Sequence, residues 1–190
     1  FAGKGGTKTA RIKSAQSRNE LYWGITVMEW EIELRHMFVS EGHNYLGRHG
    51  KGSLDHGIKD APVIECLAGR GIRGDRYFDH KENFKGQITF FDFDVYEEVK
   101  TEFGIPDLVP SVFRRNVMVK GAPLPVLIGK SFCLQGVEFF GVEEAAPCYW
   151  MNEAVAEGAH EFLKGKGGLR ARITKSGDLR HGASLLALLP

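Results

Sequence analysis

Glycine occurs 24 times in these 190 residues, and the stretches between glycines are short runs of apolar or alternating residues. Glycine admits the tight turns that side chains resist, so the chain must change direction often. Runs of this length suit strands better than helices. Ile32, Leu34 and Phe38 stand against Glu33 and Arg35, which makes a strand with one polar face. Further strands are expected at 63–67, 87–91, 117–119 and 184–188. Residues 130–135 and 137–142 form a hairpin about Gly136. Leu169, Ala171 and Ile173 alternate with Arg170, Arg172 and Thr174 in another strand.

Helical patterns are fewer. Asp92 is placed to cap a helix that runs to Phe103, with Val95, Val99 and Phe103 on one face and Gly104 as its stop. Met151, Val155, Ala159, Phe162 and Leu163 give a second helical spacing over 148–163. Strands and helices do not alternate regularly, so a doubly wound parallel sheet is not expected. The expected fold is mainly β, a small mixed-strand barrel with a few peripheral helices. Residues 40–61 are a long glycine-containing loop, and loops of that length in one domain usually carry function or move.

The length fits one domain. Residues 1–19 contain Lys4, Lys8, Arg11, Lys13 and Arg18 and no acid, while the remainder is mildly acidic. A broad nucleic-acid surface is therefore not expected. Residues 1–27 are read as a flexible basic head or a non-native extension, and 28–190 as the domain. The first twenty residues lack an apolar secretory core, and no apolar run suits a membrane span. Three cysteines without paired spacing, Cys66, Cys133 and Cys148, point to a reducing, cytoplasmic setting.

The segment Gly69-Arg70-Gly71-Ile72-Arg73-Gly74 matches a dinucleotide pattern, but Asp75 to His80 does not continue as the amphipathic helix such a site needs. What remains is a glycine turn whose Arg70, Arg73 and Arg76 are either anion ligands or solvated surface groups. Cys148 follows Ala145-Ala146-Pro147 where strand gives way to helix, a position at which a thiolate is favoured. Cys66 and Cys133 lie within strand patterns and are read as packing residues. The seven histidines include candidate bases for Cys148, yet none stands in a dyad spacing. His43, His49 and His56 match no common zinc site. Arg114-Arg115-Asn116 leads into a strand. Arg170 and Arg172 share one strand face about 7 Å apart, which suits a phosphate or simply an exposed polar face.

Five motifs in order resemble the MOSC domain, the C-terminal domain of molybdenum-cofactor sulfurases. They are Gly-Arg-Gly-Ile-Arg-Gly-Asp-Arg at 69–76, Gly-Gln-Ile-Thr-Phe-Phe at 86–91, Arg-Arg-Asn-Val at 114–117, Ala-Pro-Cys at 146–148 and Gly-Gly-Leu-Arg-Ala-Arg at 167–172. The resemblance spans roughly Glu31 to Leu186 and implies a mixed-strand β-barrel with the family's cysteine at Cys148. It implies that Arg114, Arg115 and Arg170 meet the phosphate of the molybdenum cofactor (molybdopterin), with Asn116, Gly168 and Arg76 in the same motifs. Cys148 then either carries sulfur as a persulfide or ligates molybdenum. The pyridoxal-phosphate desulfurase domain of the large sulfurases and the extra N-terminal domain of the cofactor-carrying reductases are not in this sequence. A stand-alone member would take its sulfur from a cysteine desulfurase, or its electrons from a redox partner. Three functions follow as expectations: a sulfur carrier acting on the cofactor, a cofactor-binding component that reduces N-hydroxylated compounds, and a non-catalytic small-molecule-binding barrel.

Overall fold

The computed structural model describes residues 17–22, 25–48 and 50–190, with 17–22 and 25–27 described as backbone alone. Strands run in chain order as β1 (Ser17–Tyr22), β2 (Ile25–Val39), β3 (Lys59–Asp60), β4 (Val63–Leu67), β5 (Gly71–Ile72) and β6 (Ile88–Asp92). After helix α1 (Phe93–Phe103) come β7 (Val117–Lys120), β8 (Ser131–Leu134) and β9 (Val137–Glu144). Short helices α2 (Trp150–Ala154) and α3 (Ala159–Phe162) precede β10 (Leu169–Lys175), β11 (Gly177–Arg180) and β12 (Gly182–Leu188).

Seven strands close into a barrel in the order β2, β12, β8, β9, β10, β6, β7, with β7 pairing back onto β2. The β6–β7 pair is parallel and the other ring pairs are antiparallel, so the barrel is mixed. Strands β11, β4 and β5 make a small separate sheet. The expected fold class therefore holds.

Alternation explains the core. Leu169, Ala171 and Ile173 of β10 are buried inside while Arg170 and Arg172 face out. Phe90, Phe132 and Phe139 meet in the barrel with ring centroids 5.2–5.8 Å apart. A second apolar cluster lies outside the barrel wall. There Phe38, Phe91 and Met118 pack against Tyr96 and Val99 of α1, Phe113, Met151 and Leu163. Strands β6 and β7 are thus covered on both faces.

Helix α1 matches its sequence signals. Asp92 accepts from the Asp94 N–H at 2.8 Å, and Gly104 ends the helix at φ 64°. The second helical pattern is corrected: 148–163 is not one helix. The chain leaves the helical ladder at Val155, and Gly158, at φ 89°, starts α3 afresh. Strand pairing also begins earlier than residue 28, because β1 pairs with β2 from Ser17↔Trp30 to Tyr22↔Ile25. Backbone bonds make that ladder, so polar residues such as Asn19 and Glu20 gave no apolar period. Residues 1–16 of the expected head lie outside the described residues. No helix among the described residues is long and apolar enough to cross a membrane.

Candidate functional site

The approach to β7 builds the site. Residues 110–113 form a single tight turn, and Arg114 then takes the left-handed conformation at φ 52°. That conformation is uncommon for a residue with a side chain. It reverses the chain so that Arg114 and Arg115 project to different places before Asn116 enters the sheet. Asn116 is 2% exposed. Its Oδ1 accepts from the Thr89 N–H and hydroxyl at 3.1 and 2.9 Å. Its Nδ2 donates to the Phe38 carbonyl and to Asp75, both at 3.2 Å. Every polar atom of that side chain is spent inside the protein, where it ties the start of β7 to β6, β2 and Asp75.

Arg115 fixes the strap that carries Cys148. Its guanidinium donates to the backbone carbonyls of Gly167 at 3.0 Å, Phe113 at 3.3 Å, Ala146 at 3.3 Å, and Ala145. The Ala145 N–H in turn donates to the Gly168 carbonyl at 2.9 Å. Gly168 is at φ 93°, and a Cβ there would overlap the Phe90 carbonyl oxygen. Its role is close approach of β10 to β6 and to the strap, a backbone role. Burial, and then the charge of Arg170, pull Arg115 down to about 10, while Cys148 pulls the other way.

Cys148 itself is exposed. The expected helix start lies beside it, with Tyr149 as the N-cap of α2, but α2 has five residues and lacks a side-chain cap. The positive charge next to this sulfur comes from Arg115. The other two thiols match their expected packing roles. Cys66 is fully buried, and burial pushes its thiol up to about 12. Cys133 is half-buried in β8.

The arginines of the glycine turn separate. Arg70 pairs with Asp79, Arg73 with Glu65, and both lie over the Phe78 ring at 4.7 and 5.6 Å. They are neutralised surface groups, and Gly71-Ile72 is a short strand, so no dinucleotide turn exists here. Arg76 turns inward instead. Its side chain is 10% exposed, faces Asp75 at 3.3 Å and donates to the Arg114 carbonyl at 3.1 Å. Arg170 lies 3.2 Å from Glu143, which also holds Lys85 at 2.7 Å. Arg172 covers the Phe140 ring at 5.2 Å. The Arg170–Arg172 pair therefore does not form a shared anion fork.

Arg76 and Arg114 meet at one hollow, which Arg115 borders, with Ser40, Val39, Phe38 and Ile58. It is small, with room for roughly one water. Arg76 faces the buried carboxylate of Asp75, while Arg114 donates to a carbonyl and Arg115 to the strap carbonyls, which leaves an excess of positive charge. Arg114 donates to the Gly42 carbonyl at 2.7 Å through one nitrogen. Its other terminal nitrogen is buried and has no partner, alone among the described residues. Burial, then Arg76, lowers Arg114. An unpaired buried donor costs about 1–3 kcal/mol, so this one is waiting for an acceptor.

Sequence reasoning singled out the loop over 40–61 but not the contacts it makes. Tyr45 packs against Trp150 at 4.7 Å and lies under Arg114 at 6.0 Å. His43 meets Tyr77 edge-on at 4.9 Å, and burial, then Arg76 and Arg114, lower it. Asp75 was visible inside the Gly-Asp-Arg motif, but its burial was not. No group of histidines, cysteines and acids among the described residues is arranged to hold a metal, and His49 lies outside them.

A sequence-family comparison matches residues 74–185 to the MOSC domain. Comparison with curated protein sequences finds no match. Among solved structures, the chain is similar to the YuaD protein of Bacillus subtilis, with 17% identity, 85% of this chain and 98% of that chain covered, and a TM-score of 0.68. It is also similar to YiiM of Geobacillus stearothermophilus, with 13% identity, 84% and 75% coverage and a TM-score of 0.60. YiiM of Escherichia coli shares 18% identity, with 82% and 71% coverage and a TM-score of 0.55. At these identities the likeness concerns the fold. The match to more than half of the chain identifies it: this protein belongs to the MOSC domain family.

Proposed function

We propose that the protein is a sulfur carrier that loads Cys148 as a persulfide and presents that sulfur to an anionic acceptor, the molybdenum cofactor or a related compound. The observation that carries the reading is an exposed thiol on a strap tied down by Arg115, beside a hollow where Arg114 holds an unused buried donor. A carrier thiol must reach a partner protein, and exposure allows that. A persulfide is anionic, and the Arg115 charge next to Cys148 suits it.

Loading balances without an added oxidant. The Cys148 thiolate attacks the terminal sulfur of a donor persulfide, such as that of a cysteine desulfurase. A new S–S bond forms on Cys148, the donor's S–S bond breaks, and the donor leaves as a thiolate. The proton that Cys148 released to solvent is matched by the one the donor thiolate takes up.

The residues fit the phosphate end of the cofactor: Arg114 and Arg76 offer positive charge and one free donor, with Arg115 behind them. Bound there, the cofactor would supply molybdenum as the sulfur acceptor. Asn116, Gly168 and Arg170, expected as direct contacts, serve this reading as supports of the arginines, the strap and the rim charge.

Mass spectrometry tests it. Incubation with a desulfurase and cysteine is expected to add about 32 Da to Cys148, removable by a thiol reductant and absent in Cys148→Ser. An adduct confined to Cys133, or none, defeats the carrier reading. Stoichiometric molybdenum retained through purification, with no such adduct, favours the reductase component instead.

A further inference from the structure

The loop after β2 is organised far beyond what a connection needs. Asn44 and His56 are joined side chain to backbone at 2.9 and 3.3 Å, and the Leu54 N–H donates to the Asn44 carbonyl at 2.8 Å. Those bonds cinch the two arms of the loop together. Arg48 caps its tip by donating to the Gly52 and Lys51 carbonyls at 2.8 and 3.2 Å. The loop touches the body of the protein at the site: Tyr45 on Trp150, two residues after Cys148, and the Gly42 carbonyl on Arg114. Its two ends, Ser40 and Ile58, line the arginine hollow.

We propose that the described residues of 41–57, 41–48 and 50–57, are a lid, and that Arg114 is its latch, so that an oxyanion entering the hollow holds the lid shut. This rests on the reading of the arginine hollow as an anion site, and it adds the regulation of that site.

The physical reason lies in the two ends of one guanidinium. With the lid docked, one nitrogen of Arg114 holds Gly42 and the other is buried without an acceptor. With the lid raised, Gly42 and Tyr45 leave and the guanidinium meets water. Gly42 and Tyr45 pack on this guanidinium, so the unpaired donor counts against the docked state. An oxyanion oxygen in the hollow supplies the missing acceptor and removes that cost. The anion therefore binds the docked state better than the raised one, which is the condition for a ligand to shift the equilibrium. By linkage, docking the lid raises anion affinity by the same factor. Leu46 and Leu54, both exposed on the loop, carry little of the seating. Tyr45 and Arg114 carry it, with His43 edge-on to Tyr77.

Limited trypsin digestion with site-resolved mass spectrometry tests this, because Lys51 is exposed and Arg48 lies beside it on the lid. Inorganic phosphate is the probe, compared with chloride at equal ionic strength. At ten times its dissociation constant, phosphate should slow cleavage after Arg48 and Lys51 roughly tenfold. Tyr45→Ala should cleave faster without phosphate and still slow when it is added. Arg114→Ala should cleave fast and ignore phosphate. Hydrogen exchange on the unmodified protein gives a check that needs no variant: phosphate should protect amides of 41–57 and not those of the turn at 81–86. Unchanged lid cleavage and exchange in phosphate would overturn the proposal, as would equal protection in Arg114→Ala. A missing persulfide on Cys148 with intact phosphate protection would defeat the carrier reading alone.

Discussion

Arg115 and Asn116 are neighbours in sequence with opposite energetic roles. Asn116 is a fully bonded polar group in an apolar wall, so removing it takes one hydrogen-bond partner from each of Thr89, Asp75 and the Phe38 carbonyl. Asn116→Ala is expected to cost about 2–3 kcal/mol of stability, measurable by urea unfolding. Arg115→Lys should act differently. A lysine has no planar fork to reach the Ala145 and Gly167 carbonyls together. We expect a folded protein whose Cys148 loads sulfur more slowly, read by time-resolved mass spectrometry. The sequence showed which residue types stood at the site, because Arg114, Arg115 and Cys148 sit in motifs of fixed order. It did not show what each side chain would spend itself on. Asn116 meets Phe38 and Asp75 across 78 and 41 residues, and no local pattern reports such pairings. Arg170 looked open for the same reason, since Glu143 lies on a neighbouring strand.

At the scale of elements, local signals were legible where they were self-sufficient. Helix α1 carries its own cap, apolar stripe and stop, and its bounds followed. The β8–β9 hairpin likewise turns at Gln135-Gly136, between the strands as expected. The helix expected over 148–163 failed because its apolar spacing continues across Gly158 while the backbone does not. Asp92 offers a measurement at this scale. Burial raises its carboxyl above the ordinary 3.8, although the Asp94 N–H opposes the shift. The folded state thus holds that proton to higher pH than the unfolded state. The resulting penalty is fully present above the folded value and vanishes as pH falls through 3.8. Asp92→Asn keeps the cap and removes the buried charge, so stability at neutral pH should be equal or higher. Asp92→Ala loses the cap and should cost about 1 kcal/mol in thermal or urea unfolding.

For the whole molecule, closure of the barrel and the second apolar cluster divide the chain into a rigid and a yielding part. Strands β6 and β7 have apolar cover on both faces. Their amides should be the slowest to exchange, while those of 41–57 exchange fastest among the described loops in chloride buffer. Uniform exchange across the two would contradict this division. The barrel class followed from glycine punctuation and strand length, but ring order did not, because pairing partners far apart in sequence decide it. The joint between the rigid wall and the reactive sulfur has one further consequence. Arg115 grips only main-chain oxygens, and every amino acid at 146 brings the same carbonyl. The exposed Ala146 side chain is therefore free to drift in character, bulky or charged, without loosening the mount. A lineage could in this way exchange one client molecule for another by repainting the rim, leaving the sulfur where it stands.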